Sequence, residues 1–421
     1  MVFAVLLLAN HLGRPFEHIL VGLRIPALIC TMGIIVALGF GLSAFKTKVG
    51  MAFAALIGWM LLISPLSTYR FGSLMYVRNY LQFWTVLFMI IACAPKTFKH
   101  LKFLTNIIAI AAISNIMIAG RFESQYRFEM NGTFANSDDA AILAGFAIPF
   151  WMLLASRFNL FLRIPLAAAG ILFLVRIIVL TATRSIMISL ACLFLVWFLR
   201  SKMMYRILGT LTVGIAMFAI LDSAPVSVQE RLSTISSAFT ATRENYNDEA
   251  AGSAAERRNL LRAGIWATLT HPIWGVGPGQ FDQYHWGEGQ RSRGPRQAWI
   301  KTHNTYVEIS SENGIPGLLL YLFLIWTIFK TIQRVRKATI SRSSPNLQLG
   351  YQLALCLEAA LAFFLVTALF MTVEAHPYLF ILAGAAVAVE RLTQVELAHI
   401  KRPQMTLGNR GQLAPSGFKR N

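Results

Sequence analysis

Apolar runs of membrane-spanning length recur from one end of this chain to the other, and no other feature limits its fold so strongly. Eleven such stretches can be marked, over residues 25–42, 49–66, 77–94, 101–120, 139–155, 160–181, 185–199, 205–221, 315–330, 350–373 and 377–389. A helix needs about 20 apolar residues to cross the hydrocarbon core. Inside lipid each span must satisfy its own backbone hydrogen bonds, which favours helices over open strands. The expectation is an all-α, polytopic integral membrane bundle of 11–12 transmembrane helices with one long, partly helical extracytoplasmic loop. Residues 2–9 are apolar but short, and polar residues 10–18 follow; a half-span, an interfacial helix or the end of a longer helix all fit, and counting it gives twelve. No signal-peptide cleavage site is evident. Composition agrees: 14% of residues are charged, against roughly a quarter in soluble proteins.

Charge gives a direction. With twelve spans and the N-terminus inside, Lys46, Lys48, Lys96, Lys99, Lys102, Lys330 and Lys337 fall on the cytoplasmic side and Lys301 is the one lysine outside. This is the positive-inside pattern. Much of the +19 net charge therefore serves orientation and contact with anionic membrane lipids. No basic-aromatic module accompanies it, so nucleic acid is excluded as a partner. The cysteines Cys30, Cys93, Cys192 and Cys356 all lie in expected spans, read as packing residues, and predict no disulfide in the outer loops.

The chain divides into N-terminal transmembrane helices (1–221), an extracytoplasmic loop (222–302), C-terminal transmembrane helices that include a His-bearing amphipathic helix (303–392), and a cytoplasmic disordered tail (393–421). Within the loop, 226–239 reads as a short amphipathic helix. A second helix is expected to start at Ser253, its N-cap, with Glu256 completing a capping box. It should stop at "HPIWGVGPG", where Pro272, Gly275, Gly277 and Gly279 forbid continuation. The long break falls after the ninth of twelve spans, whereas a transporter built of two halves breaks near the middle.

Lysine is scarce outside, but arginine is not. Guanidinium grips phosphate oxygens in pairs and keeps its charge, so the outer arginines read either as a grip on a phosphorylated ligand or as salt bridges to loop carboxylates such as Glu244, Asp248 and Glu256. Arg184 sits in a hairpin of almost no length and must lie at the membrane surface. Arg257 opens the expected loop helix, and Arg258 and Arg262 share one of its faces. Arg127 belongs to the same outer set. Arg176 lies inside a span, where arginine is costly and marks either function or a buried pair, with Glu358 as the candidate partner. His303 precedes a helix that Thr305 and Glu308 would cap, with Glu308 and Glu312 on one face and "SENGIPG" breaking it before the next span. A helix N-terminus disfavours imidazolium, so His303 reads as a neutral base for a hydroxyl proton or as a plain loop histidine.

Four stretches, "NGTFANSDDAA", "LTATRS", "RRNLLRAGIWATLTHPIWGVGPGQF" and "HNTYVEISSENGIPGLL", stand in an order that resembles the O-antigen ligase and polymerase superfamily. The resemblance covers about 131–319. It implies a membrane glycosyltransferase that moves a glycan from undecaprenyl diphosphate to an acceptor hydroxyl on the outer face of the inner membrane, with inversion and without metal or other cofactor. By position it assigns Arg184 and Arg257, with Arg258 the runner-up to Arg257, to the diphosphate, and His303, followed by Asn304, to the acceptor; Arg127 and Arg176 are further binding candidates from their placement alone. The acceptor could be another glycan, lipid A core or a protein side chain, and envelope polysaccharide assembly proteins are possible partners. Three departures stand out: Thr183 where the family has Ser, Ser137–Asp138 where it has Pro-Asn, and Leu261 where it has Trp. A transporter or flippase of lipid-linked sugars, and a non-catalytic scaffold, remain as alternatives.

Overall fold

The computed structural model describes residues 1–12, 22, 24–123, 127–130, 136–200, 203–226, 228–229, 249–292, 301–340 and 344–408. In chain order its helices are α1 (Val2–Leu12), α2 (Ile25–Phe40), α3 (Lys48–Ile63), α4 (Arg70–Asn79), α5 (Val86–Cys93), α6 (Phe98–Ala119), α7 (Ser137–Ala155) and α8 (Leu160–Leu180). Then follow α9 (Arg184–Arg200), α10 (Met203–Asp222), α11 (Glu249–Thr270), α12 (Phe281–Ser292), α13 (Thr305–Thr339), α14 (Pro345–Phe370) and α15 (Pro377–Gly408). A single antiparallel hairpin, β1 (Gly120–Glu123) against β2 (Arg127–Met130), sits at the end of α6. Among the described residues nine helices are long and apolar enough to cross a membrane, and three shorter apolar ones fall at Val2–Leu12, Arg184–Leu199 and Val213–Asp222. The chain is a multi-pass membrane protein of the all-α class.

Contact between spans depends on close approach more than on the hydrophobic effect, because lipid is as apolar as leucine. Two glycines show this: a Cβ on Gly145 would run into the Phe363 ring, and one on Gly170 into Trp151. Elsewhere aromatic rings fill the interior, with Trp84 stacked on Phe380 at 5.4 Å and Phe53 edge-on to Phe88 at 5.3 Å.

Several boundaries differ from expectation. The span expected at 77–94 begins at Arg70, because a wide turn of helix over Tyr80–Thr85 joins α4 to α5 without a break. α11 begins at Glu249, so Ser253 is an interior residue and not the cap, and Arg257 stands about two turns inside the helix. The tail expected to lack structure from 393 is helical as far as Gly408. Its "ERLTQVELAHIK" has no Gly or Pro to stop a helix. It is also tied down by Arg334 to Glu390, and by Ser344 and Asn346 to Glu396. The helix expected over 226–239 lies mostly outside the described residues, as do 131–135 of the first motif and 409–421 of the tail.

The break expected at "SENGIPG" is present. Gly314 has φ 69 and ψ −179, which divides α13 into a short outer piece and a long span. Irregular backbone at this depth is tolerated only where protein supplies the missing partners. Here the turn that follows α11 supplies them. Val276 and Gly277 donate their N–H groups to the carbonyls of Ser311 and Glu312, and Trp59 Nε1 donates to that of Asn313. In return the Ile315 N–H donates to the Pro272 carbonyl at 2.8 Å. Gly275, with φ 66, must be glycine at this junction, because a Cβ would meet the Glu312 and Asn313 backbone.

Candidate active site

Three helices of the bundle begin at the same end, and their first turns meet. The α8–α9 connection is short because Ala182 adopts a left-handed φ of 53. Arg184 is then the first residue of α9. Thr183 donates its hydroxyl to Asp138 Oδ1 at 2.9 Å. Asp138 lies in the first turn of α7, where Asn136 caps the helix by accepting the Asp138 N–H at 2.7 Å. The other Asp138 oxygen faces Arg257 Nη2 of α11 at 3.6 Å.

His303 completes the group. It stands just before α13 with φ 54, a left-handed backbone that is strained for a residue with a Cβ and of a kind that gathers at functional sites. Its ring is half-buried. Burial first, and the Arg257 charge second, hold its pKa below the ordinary 6.5, while Asp138 opposes them. The imidazole is therefore biased towards its neutral form, chiefly by desolvation and not by the helix terminus that the sequence offered as the cause. Arg257, His303 and the Thr183–Arg184 turn thus meet around Asp138 at one end of the bundle. The positive ends of α7, α9 and α13 reinforce the cationic character of this rim.

The local structure that holds His303 is built from other residues of the same motif. The cap of α13 is Asn304, not Thr305: Asn304 Oδ1 accepts the Tyr306 and Val307 N–H groups, and its Nδ2 donates to the Leu369 carbonyl at 3.0 Å. Thr305 instead donates to the Met371 carbonyl and accepts the Val373 N–H. Glu308 reaches back to accept both the N–H (2.8 Å) and the hydroxyl (2.6 Å) of Thr302. Glu312 accepts the N–H groups of Gly279 (2.8 Å) and Phe281 (3.2 Å). Both glutamates are buried and act as clamps on backbone. Lys301 pairs with buried Glu374 at 3.2 Å, and that carboxylate foremost raises the lysine's pKa and keeps it charged. Burial raises the Asp282 carboxyl nearby, with Lys301 opposing.

Other expected site residues stand differently. Arg176 is on the exposed face of α8, and Glu358, its candidate partner, is bound instead to Arg336 at 3.3 Å and Gln333 at 2.9 Å. Burial of Leu174, Ile177 and Ile178 on the opposite side of the same helix was the periodic signal for this. Arg258 is exposed on α11. Arg127 is placed by its backbone in β2, across from Glu123. Sequence reasoning noted Asp138 only as a departure from family pattern; its carboxylate in place of an amide was the available signal that it pairs with a cation. A second acid of the same turn, Asp139, lies 3.9 Å from His376. Among the described residues no three His, Cys, Asp or Glu side chains could together hold a metal ion.

These features define a polytopic membrane protein with a partly open cationic rim that includes a desolvated histidine. Residues 169–322 match the family described as Wzy_C, O-Antigen ligase, and this match supports the likeness to the O-antigen ligase and polymerase superfamily. The matched segment contains Arg184, Arg257 and His303. A comparison with curated proteins finds no match.

Proposed function

We propose that the protein transfers a glycan from undecaprenyl diphosphate to an acceptor hydroxyl, at the outer face of the inner membrane, in surface polysaccharide assembly. The observation that carries this reading is the meeting of Arg257, the Thr183–Arg184 turn and a neutral-biased His303 around Asp138. His303 takes the proton of the acceptor O–H. The hydroxyl oxygen attacks the anomeric carbon as the bond from that carbon to the diphosphate oxygen breaks, and the electron pair leaves on the diphosphate. Arg184 and Arg257 stabilise the charge that develops there. One displacement inverts the anomeric centre. The leaving group is already activated, so the arginines supply the positive charge the step needs. Asp138 holds Arg257 while the site is empty, and the diphosphate competes with it for the guanidinium. Asn304 positions His303 through the helix cap, and Arg258 lies one residue from Arg257 on the rim. The acceptor is a second glycan or a lipid A core, delivered with the help of envelope assembly proteins.

Purified protein in nanodiscs, given a defined polyprenyl-diphosphate oligosaccharide and each candidate acceptor, should yield a glycosylated acceptor identified by mass. Movement of the lipid-linked sugar across the bilayer with no covalent product would replace this reading with transport.

A further inference from the structure

The outer helix α11 is apolar on two sides. One side packs on the outer piece of α13: Leu260 and Ala267 are buried, Gly264 lies against Val307 and Thr302, and Thr268 bonds Ser310 at 2.8 Å. The other side carries Arg258, Arg262, Ile265 and Leu269, spaced four, three and four residues apart along one stripe, with Trp266 beside it. Trp266 is 64% and Leu269 66% exposed. In water such a stripe of large apolar side chains would be an unexplained liability.

Its surroundings say what covers it. Beyond Thr270 the chain turns, and Ile273 and Trp274 are also exposed. Trp274 stacks on Trp59 of α3 at 5.7 Å. The turn meets Ile315, where the long span of α13 begins, through the bond from the Ile315 N–H to Pro272. Ile315 and Leu319 on that span, Leu62 at the matching end of α3 and Leu66 in the turn after it are exposed as lipid-facing residues are. At its C-terminal end the stripe therefore runs into the exposed apolar surface of two spans, and its composition is that of an interface, with arginines and a tryptophan beside aliphatic residues.

We propose that the outward stripe of α11 and the turn after it are seated in the bilayer surface. Leu269 and Ile273 lie among lipid chains, Trp266 at the boundary, and Arg258 and Arg262 among headgroup phosphates. Arg257, on the same helix, is thereby fixed at the depth of a lipid-linked diphosphate; this last point rests on the glycosyl-transfer reading, whereas the seating does not. The outer helix is an interfacial arm that brings the site to the donor's headgroup, so the donor need not leave the membrane.

The test is nitroxide labelling of single cysteines at 262, 266, 269 and 273 in protein reconstituted in nanodiscs, with the four native cysteines replaced. Oxygen should relax the labels at 266, 269 and 273 more than a water-soluble nickel chelate does, with depth increasing from 262 to 269. Chelate access throughout would overturn the seating. So would shielding from both reagents, since that means a protein partner or a second copy covers the stripe. The label at 273 serves if that at 269 disturbs packing. In a transfer assay, Leu269→Glu should raise the KM for a full-length polyprenyl donor about tenfold, and more than it changes kcat. It should leave the KM for a short-prenyl donor as it was. An equal effect on both donors would sever the arm from the donor's delivery. Absence of any transfer by the unaltered protein would count against the reaction and leave the nitroxide result to decide the seating.

Discussion

Two charged regions lie side by side at the start of α13, and they use charge in opposite ways. The rim of Arg184, Arg257, His303 and Asp138 is partly open, with Arg257 at 40% exposure. The Arg257–Asp138 ion pair there is long, at 3.6 Å, and is open to replacement by a competing anion. In the knot the carboxylates of Glu308, Glu312 and Glu374 are buried, and Lys301 reaches the surface beside them. There one Glu308 oxygen accepts from Thr302, both Glu312 oxygens accept the N–H groups of Gly279 and Phe281, and the lysine is paired with Glu374. The rim can exchange partners; the knot cannot do so without leaving buried polar atoms stranded. Substitutions on the rim should therefore cost rate, and substitutions in the knot should cost stability.

The largest test of this contrast is His303→Ala. Loss of a general base lowers turnover by about 10²–10⁴-fold, and the thermal midpoint in detergent should stay where it is. A drop in both would make His303 part of the knot. Next, Arg257→Lys and Arg184→Lys should each lose about 10²–10³-fold in kcat, close to the alanine variants, since ammonium cannot hold a diphosphate in two-point fashion. Free acceptance of lysine at either position removes that contact from the mechanism. On the other side of the comparison, Glu312→Ala leaves the Gly279 and Phe281 N–H groups without their acceptor. It should destabilise by roughly 2–5 kcal/mol, seen as a lower melting midpoint or poor yield, with activity per folded molecule largely kept. A stable but inactive Glu312→Ala would erase the distinction.

The smallest effect concerns pH. In the proposed reaction the neutral imidazole is the active form, so activity should be present above the His303 pKa and fall as pH drops through it. Because that pKa lies below 6.5, the acid limb should too. Asp138→Asn removes the charge that lifts the pKa and should move the limb further down, while Arg257→Gln, read on its residual activity, should move it up. Shifts of the opposite sign would mean that another group titrates.

Much of the frame could be read in advance because a span announces itself by length and hydropathy alone. Arg184, Arg257 and His303 stand out in the sequence because each sits inside a motif. The role of Asp138 could not be read, since its partners are 45 residues away at Thr183 and still further along at Arg257, and no local periodicity links them. The glutamates were read as a helix face and a cap, yet their ligands are backbone groups of a loop folded back from earlier in the chain. Boundaries failed where a helix outran its apolar stretch, at Arg70 and past residue 393, because the membrane sets where hydrophobicity ends but not where hydrogen bonding does.

The interruption at Gly314 also has a bearing on biogenesis. The stretch from Pro272 to Gly277 is synthesised earlier than the segment whose open carbonyls it satisfies. It can be waiting at the membrane surface when α13 leaves the insertion machinery. Shortening or deleting that stretch would leave the nascent helix to enter lipid with polar groups uncovered, and the error would surface as failed insertion and proteolysis before any catalytic defect could be measured.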